Sequence, residues 1–112
     1  MTACLFCRIV KGEIPARKLF EDLDFLAFED IHPQAPVHVL IIPKKHIENI
    51  SDLKDEDSLL AGEMMLRARS LARQNGWHDF RLVTNNGPQA QQSVYHLHFH
   101  LLSGRMMSWP PG

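Results

Sequence analysis

The sequence predicts an α+β fold: an antiparallel sheet of about five strands, with one long helix and one short N-terminal helix. Two observations support this prediction. Short runs rich in β-branched and aromatic residues occur before residue 43 and after residue 80, and one long amphipathic pattern lies between them. With 112 residues, 45% of them hydrophobic, the chain is long enough for one domain with a core and too short for two. Residues 1–112 are therefore predicted to form a single domain.

The N-terminal part is predicted to be a short helix followed by a hairpin. Phe6, Ile9 and Val10 recur at helical spacing before a glycine and a proline break the pattern. Lys18–Glu21 and Phe25–Glu29 are two runs rich in Phe and Leu on either side of a charged turn, which indicates two antiparallel strands.

A shaped loop and a central strand follow the hairpin. Pro33 and Pro36 prevent residues 32–36 from continuing a sheet, because proline lacks the N–H donor and restricts the residue before it. The β-branched run over residues 37–42, which Pro43 ends, predicts a central strand.

A long amphipathic helix is predicted from one apolar stripe. Its members are Leu60, Ala61, Met64, Met65, Ala68, Leu71 and Ala72. Acidic residues precede this pattern and arginines lie in its second half, as the helix dipole favours, and Gly76 is the predicted C-cap. Because Met64 and Met65 belong to the apolar stripe, they are predicted to be core residues. Residues 80–84 alternate as a further strand, and a polar loop covers residues 85–92.

Residues 96–100 read His-Leu-His-Phe-His, so imidazole alternates with apolar side chain. A β-strand over this stretch would pack its apolar residues under the helix and place all three histidines on the opposite face. Two chemistries fit such a face, since a pair of imidazoles can converge on a metal ion or flank a tetrahedral phosphate. The stretch alone leaves both possibilities open.

Composition and charge exclude several classes of function. The formal net charge is −1 and the basic residues are scattered, which argues against nucleic-acid binding and leaves room for a small anionic ligand. No basic region precedes a long apolar run, so a cytoplasmic protein without membrane attachment is expected. Its only two cysteines form the pattern Cys4-x-x-Cys7, which suggests metal ligation or redox exchange before a structural disulfide.

Four stretches together resemble the histidine triad family, and most closely its Hint branch of nucleoside phosphoramidases. They are Asp30-Ile31-His32-Pro33-Gln34-Ala35-Pro36-Val37-His38, Ile42-Pro43-Lys44-Lys45-His46-Ile47, Gln92-Ser93-Val94-Tyr95-His96-Leu97-His98-Phe99-His100 and Trp109-Pro110-Pro111-Gly112. The stretches occur in the family's order and cover nearly the whole chain.

The resemblance implies hydrolysis of purine nucleoside 5′-phosphoramidates, of the adenosine 5′-monophosphoramidate type, with no cofactor required for catalysis. His98 would attack the α-phosphorus and form a covalent nucleotidyl-histidine intermediate that water then cleaves. His100 would bind the phosphate oxygens, Ser93 would lie at the leaving group, and His38 would complete the polar shell. A backbone carbonyl would orient the attacking imidazole.

A nucleotide site is implied in the same way. Asp30 matches the family's ribose-binding aspartate, and Phe6, Ile9 and Ile31 resemble the apolar cleft that holds the purine. Asn85 matches a phosphate-side asparagine. The other implied nucleotide-binding residues are Gln91, Gln92, Ser93, Val94, His98, His100 and Trp109. One departure is that Ala90-Gln91 stand where the Hint branch commonly carries paired glycines, so the backbone of the phosphate loop is expected to be altered.

The resemblance further implies a two-fold homodimer, in which Trp109 would reach the neighbouring subunit's active site. Some branches of the family also hold a structural zinc ion, and the matching ligands here are Cys4, Cys7, His46 and His96. Two alternatives stay open at this point. One is a zinc-dependent hydrolase that uses the triad as metal ligands, and the other is a nucleotide-binding regulatory module whose activity is incidental.

Overall fold

The computed structural model describes residues 3–112, so residues 1 and 2 of the predicted domain lie outside the described residues. Within this range, five strands form one antiparallel sheet in the order β1-β2-β3-β5-β4. The strands are β1 (Lys18–Glu21), β2 (Phe25–Glu29), β3 (Val37–Pro43), β4 (Phe80–Val83) and β5 (Phe99–Ser103). The predicted fold class is confirmed, and β3 is a central strand, as its sequence predicts.

Two helices accompany the sheet, α1 (Leu5–Val10) and α2 (Ser58–Gln74). Asn75 is the C-cap of α2, and its side-chain amide donates to the Leu71 carbonyl at 2.9 Å. Gly76, the predicted C-cap, follows it with φ of +71° in the left-handed region that glycine favours. Neither helix is long and apolar enough to cross a membrane, and residues 3–112 contain no other that is.

The two faces of the sheet support two separate packing layers. Phe25 and Ala27 of β2 pack on the face that carries α2, while Leu26 and Phe28 pack on the opposite face with Phe6 of α1. Because β2 and β3 are buried on both faces, their sequences are nearly continuous hydrophobic runs. The face that carries α1 is also the one on which the histidines of the candidate site lie, as described below.

The apolar stripe of α2 faces the sheet for most of its length. Met64, Ala68, Leu71 and Ala72 are buried against it. The prediction that Met65 also belongs to the core is wrong, because 57% of this residue is exposed. It follows Met64 by one position, which turns its side chain about 100° round the helix axis.

The strand predicted over residues 96–100 begins later than expected, at Phe99. β5 starts at Phe99, so His96 and His98 precede the strand, and the prediction that all three histidines share one strand face is wrong. Phe99 pairs with Ile41 of β3, and continuing this register would place residue 97 opposite Pro43, which has no N–H to donate. Leu97 and Leu101 nevertheless pack in the core that includes α2, as the apolar alternation predicts.

Candidate active site

A cavity of about 630 Å³ opens on the face of the sheet that carries α1. Its apolar wall includes Phe6 and Ile9 of α1 and Leu40 of β3. Polar side chains that line it include Asp30, His32, Ser93, His98 and His100. The volume lies within the range of pockets that bury a small organic ligand, and the combination of apolar wall and convergent polar groups is typical of such pockets.

His98 is held in one tautomer by a backbone carbonyl. Its Nδ1 lies 2.7 Å from the His96 carbonyl oxygen, and because a carbonyl only accepts, Nδ1 carries the proton. The lone pair is therefore on Nε2. Burial lowers the pKa of His98 below the ordinary histidine value, which keeps the ring neutral. The edge-on Phe6 ring, 5.1 Å away between centroids, restricts the orientation of the imidazole.

A chain of hydrogen bonds holds His100 in the opposite tautomer to that of His98. The Gln34 backbone N–H donates to His38 Nδ1 at 3.0 Å, so His38 carries its proton on Nε2. That proton is donated to His100 Nδ1, 2.8 Å away, and His100 must then carry its own proton on Nε2. Burial, followed by the neighbouring His98 and His38, lowers the pKa of His100 to about 4. Neutral His98 thus offers a lone pair, while neutral His100 offers a donor.

The loop that supplies the Gln34 amide is fixed by the residues after β5. Arg105 Nε donates to the Gln34 carbonyl at 3.0 Å. Gly104 has φ of +96°, and a Cβ at this position would lie 2.9 Å from the Pro36 Cβ. Glycine therefore permits the close approach of β5 to the loop. Sequence reasoning missed Gln34, because a backbone donor leaves no side-chain pattern.

Asp30 is fixed between the cavity and His38. Its Oδ1 accepts the His32 backbone N–H at 2.8 Å, and its Oδ2 lies 3.4 Å from His38 Nε2. Its own N–H donates to the His38 carbonyl at 3.0 Å. Only 17% of the side chain is exposed, so the carboxylate is close to both the cavity and the histidine chain.

Most of the residues predicted for the site line this cavity. They are Phe6, Ile9, Asp30, Ile31, Ser93, Val94, His98 and His100. Ile31 is 86% exposed and contributes apolar surface to the cavity wall. His38 does not line the cavity, but its side chain contacts His100 and Asp30, which do. Sequence reasoning missed the wall segment formed by residues 14–16, whose signal is a short apolar run that begins three residues after the end of α1.

Four predicted nucleotide-binding residues do not line the cavity of this chain: Asn85, Gln91, Gln92 and Trp109. The buried amide of Gln92 makes hydrogen bonds within the protein, and its role at a nucleotide stays a prediction. Its Oε1 accepts from the Gly87 N–H at 2.8 Å, and its Nε2 donates to the Glu48 carbonyl at 2.8 Å. Trp109 is 83% exposed and lies near the guanidinium of Arg81, 5.9 Å from ring centroid to Cζ.

Gln91, which stands where the Hint branch commonly carries a glycine, has an unusual backbone conformation. Gln91 has φ of +68°, the left-handed conformation that glycine adopts freely, and it is the one non-glycine residue with positive φ among residues 3–112. This conformation costs a residue with a Cβ roughly 1–2 kcal/mol. The hydrogen bonds of the buried Gln92 amide hold the loop in place and offset this strain. Gln91 therefore adopts a backbone conformation typical of glycine although it carries a side chain, and an altered phosphate loop stays a prediction.

A second cluster lies where α1 meets the start of the histidine stretch. His96 Nε2 lies 2.7 Å from the Pro43 carbonyl and so carries the proton, which leaves the Nδ1 lone pair facing the cluster. That Nδ1 is 3.2 Å from His46 Nδ1, 3.4 Å from Cys4 Sγ and 3.5 Å from Cys7 Sγ. His96 therefore does not join His98 and His100, and the triad histidines do not converge on one metal ion.

The donor atoms of this cluster have the spacing of a tetrahedral zinc site. One ligand atom from each of Cys4, Cys7, His46 and His96 lies within 4.8 Å of all the others. Zinc bonds of 2.0–2.1 Å to nitrogen and 2.3 Å to sulfur imply tetrahedral edges of about 3.3 to 3.8 Å, close to the 3.2–3.5 Å observed between the donors. Two soft thiol groups with two imidazoles suit zinc.

Known proteins resemble this chain over almost its whole length. A family model described as the C-terminal binding region of the scavenger mRNA decapping enzyme matches residues 3–109. An uncharacterized HIT-like protein from Synechocystis is 50% identical over 109 residues, covering 96% of each chain. A HIT family hydrolase from Legionella pneumophila has a TM-score of 0.95 and 55% identity, covering 97% of this chain and 99% of that one. A HIT family hydrolase from Clostridium thermocellum has a TM-score of 0.92 and 41% identity, covering 96% of each chain.

Proposed function

The chain belongs to the histidine triad (HIT) family, and from this membership and the site geometry we propose that it is a hydrolase of the Hint branch. Its substrates would be purine nucleoside 5′-phosphoramidates, such as adenosine 5′-monophosphoramidate. One observation carries the proposal: a lone pair on His98 and a donor on His100 belong to adjacent rings, with centroids 4.9 Å apart, that line one nucleotide-sized cavity. Two similar structures are described as HIT family hydrolases, which supports a hydrolytic reaction.

The proposed reaction begins with attack of His98 Nε2 on the α-phosphorus. A P–Nε2 bond forms, the P–N bond to the leaving amine breaks, and the amine takes the bonding electron pair and one proton from solvent. Nδ1 keeps its proton on the His96 carbonyl, so the nucleotidyl-imidazole carries a positive charge on the ring. His100 Nε2–H donates to the phosphate oxygens, where negative charge develops.

Water completes the reaction. Its oxygen attacks the phosphorus, the P–Nε2 bond breaks, and the electron pair returns to His98 as the neutral imidazole. The water loses both of its protons: one returns to the solvent the proton that the amine took from it, and the other protonates the released amine. The products are the nucleoside monophosphate and an ammonium ion, and the two-step route replaces one difficult displacement with two easier ones.

The remaining walls fit the rest of a nucleotide. Asp30 offers a carboxylate acceptor for ribose hydroxyls, and Phe6, Ile9 and Ile31 offer apolar surface for a purine. Ser93 lines the cavity with a hydroxyl that would contact the leaving group. No step of this reaction uses a metal ion.

The test is hydrolysis of adenosine 5′-monophosphoramidate by the wild-type protein, measured as AMP and ammonia release. We expect turnover, and we expect it to persist when a chelator is added while circular dichroism shows an unchanged fold. Loss of turnover under that condition would support the zinc-dependent alternative. AMP binding without turnover of adenosine or guanosine phosphoramidates would contradict the proposal and support the nucleotide-binding regulatory module.

We further propose that the chain assembles as a homodimer. Large apolar residues are exposed on the outer side of α2 and in the tail: Leu59 72%, Met65 57%, Leu66 44%, Met106 91% and Trp109 83%. Such surface commonly marks an interface. Because Trp109 does not line the cavity of its own chain, its expected place is the active site of the partner.

Sedimentation at micromolar concentration should therefore give about 26 kDa, twice the 12.9 kDa of one chain. A variant lacking residues 109–112 should change its preference among leaving amines more than its affinity for AMP, because the tail is expected near the leaving group. A matched Met1–Gly112 chain with Trp109→Phe should keep most of the wild-type preference. A mass of one chain for the wild type would refute the assembly.

A further inference from the structure

We propose that Asp30 has a second role in the chemical step: its carboxylate stabilises the positive charge that forms on His98 when this ring carries the nucleotidyl group, and it acts across the contacting rings of His38 and His100. This proposal rests on the proposed function. Asp30 would act through the histidines without touching the reacting atoms, which makes it a positioning residue in addition to any contact with ribose.

The placement of the carboxylate supports this role. Two backbone hydrogen bonds fix Asp30, one from the His32 N–H to Oδ1 at 2.8 Å and one from its own N–H to the His38 carbonyl at 3.0 Å. The other carboxylate oxygen then lies 3.4 Å from His38 Nε2, which is an ion-pair distance. A carboxylate whose only task was to bind ribose would have no need to point at this ring.

The three rings lie in series. The centroids of His38 and His100 are 5.1 Å apart, and those of His100 and His98 are 4.9 Å apart. A charge on His98 therefore acts across short distances on both neighbours. The other ionisable groups that line the cavity are His32 and the exposed pair Arg17 and Glu29, whose Nε and Oε2 are 3.5 Å apart. The opposite charges of Arg17 and Glu29 largely cancel at the rim of the cavity, whereas the carboxylate of Asp30 lies next to His38.

The chemistry creates a charge at this place. His98 is neutral before attack, and it becomes an imidazolium when Nε2 bonds to phosphorus, because Nδ1 keeps its proton. Burial opposes a positive charge in this cluster and lowers the pKa of His100 to about 4, while the carboxylate of Asp30 acts in the opposite direction. A fixed anion in a mostly buried site needs no reorganisation to stabilise the charge as it develops.

The decisive variant is Asp30→Asn. The asparagine Oδ1 can still accept the His32 N–H, so the variant keeps the fixed geometry and removes the charge. The kinetic probes are adenosine 5′-monophosphoramidate and its 2′,3′-dideoxy analogue, which has no ribose hydroxyl to bind. We expect kcat to fall about tenfold with both substrates, which corresponds to a change of about one pKa unit in the stabilisation of the charge.

An unchanged kcat with the dideoxy analogue would overturn the proposal, because Asp30 would then act through ribose alone. A matched control is Asp24→Asn, which removes the same charge at an exposed turn outside the cavity and should change neither kcat nor the pKa of His100. A second readout needs no turnover: NMR titration of His100 should give a lower pKa in Asp30→Asn than in the wild type. If the wild type hydrolyses neither probe, the proposed function is wrong, and equal titration curves would independently refute the role of Asp30.

Discussion

Replacing His98 with alanine should lower kcat for adenosine 5′-monophosphoramidate at least about a thousandfold, since loss of a covalent nucleophile costs this much or more. Nucleotide affinity should change little, because the variant removes the attacking atom and leaves the ribose and purine contacts of the cavity in place. The measurements are steady-state turnover and calorimetric titration with AMP. Circular dichroism must accompany them, because His98 is buried and its ring packs against Phe6.

Two further variants make this result specific. His100→Ala should also slow turnover, but by a smaller factor, because it removes a phosphate donor and leaves the nucleophile. His78→Ala is the matched control, since His78 is an exposed histidine between α2 and β4 that does not line the cavity. Wild-type rates in both His98→Ala and His100→Ala would show that the covalent mechanism is wrong.

The elements of the fold could be predicted from sequence because each has a local signal. The bounds of β1 and β2 agree with their Phe- and Leu-rich runs, and the turn between them is built by Asp22, whose Oδ1 accepts the N–H groups of Asp24 and Phe25 at 2.9 and 2.7 Å. The stripe of α2 likewise follows from its 3.6-residue period. Met65 was assigned to the wrong face because it lies at the edge of that stripe.

The parts of the site that escaped prediction depend on contacts distant in sequence. His96 turns away from His98 because its ring donates to the Pro43 carbonyl while its own carbonyl accepts from His98. The tautomer of His100 depends on the Gln34 amide, 66 positions earlier in the chain. Gln92 looks like an ordinary loop residue in the sequence, but its buried amide holds that loop in place through hydrogen bonds to Gly87 and Glu48. The alternation of histidine and apolar residues over residues 96–100 does not predict any of these contacts.

His96 connects the candidate active site to the Cys4, Cys7 and His46 cluster. Its ring belongs to the cluster, and its carbonyl accepts the Nδ1 proton of His98. Burial raises the pKa of the Cys7 thiol to about 11, which is unlike the low-pKa thiol of a redox pair. We propose that the cluster holds a structural zinc ion, which would fasten α1 to the residues before β5.

The zinc site leads to the second large effect that we expect. Protein purified without a tag or chelator should contain about one equivalent of zinc per chain, as a closed four-ligand site requires. Cys4→Ser should lose the zinc and lower Tm by about 5 °C or more, because metal that binds only the folded state adds to its stability. The serine hydroxyl can still accept the Cys7 N–H that caps α1, so the cap is kept and only the thiolate is removed.

Zinc titration separates the metal from other effects of the substitution. Adding zinc to stripped protein should raise Tm of the wild type and of the His78→Ala control, and should leave Tm of Cys4→Ser unchanged. The stripped wild type and the stripped Cys4→Ser variant should then unfold at nearly the same temperature, since neither has a bound ion to lose. Elemental analysis showing only traces of zinc in the wild type, together with an unchanged Tm in Cys4→Ser, would mean that the four side chains are partly buried neighbours and do not form a metal site.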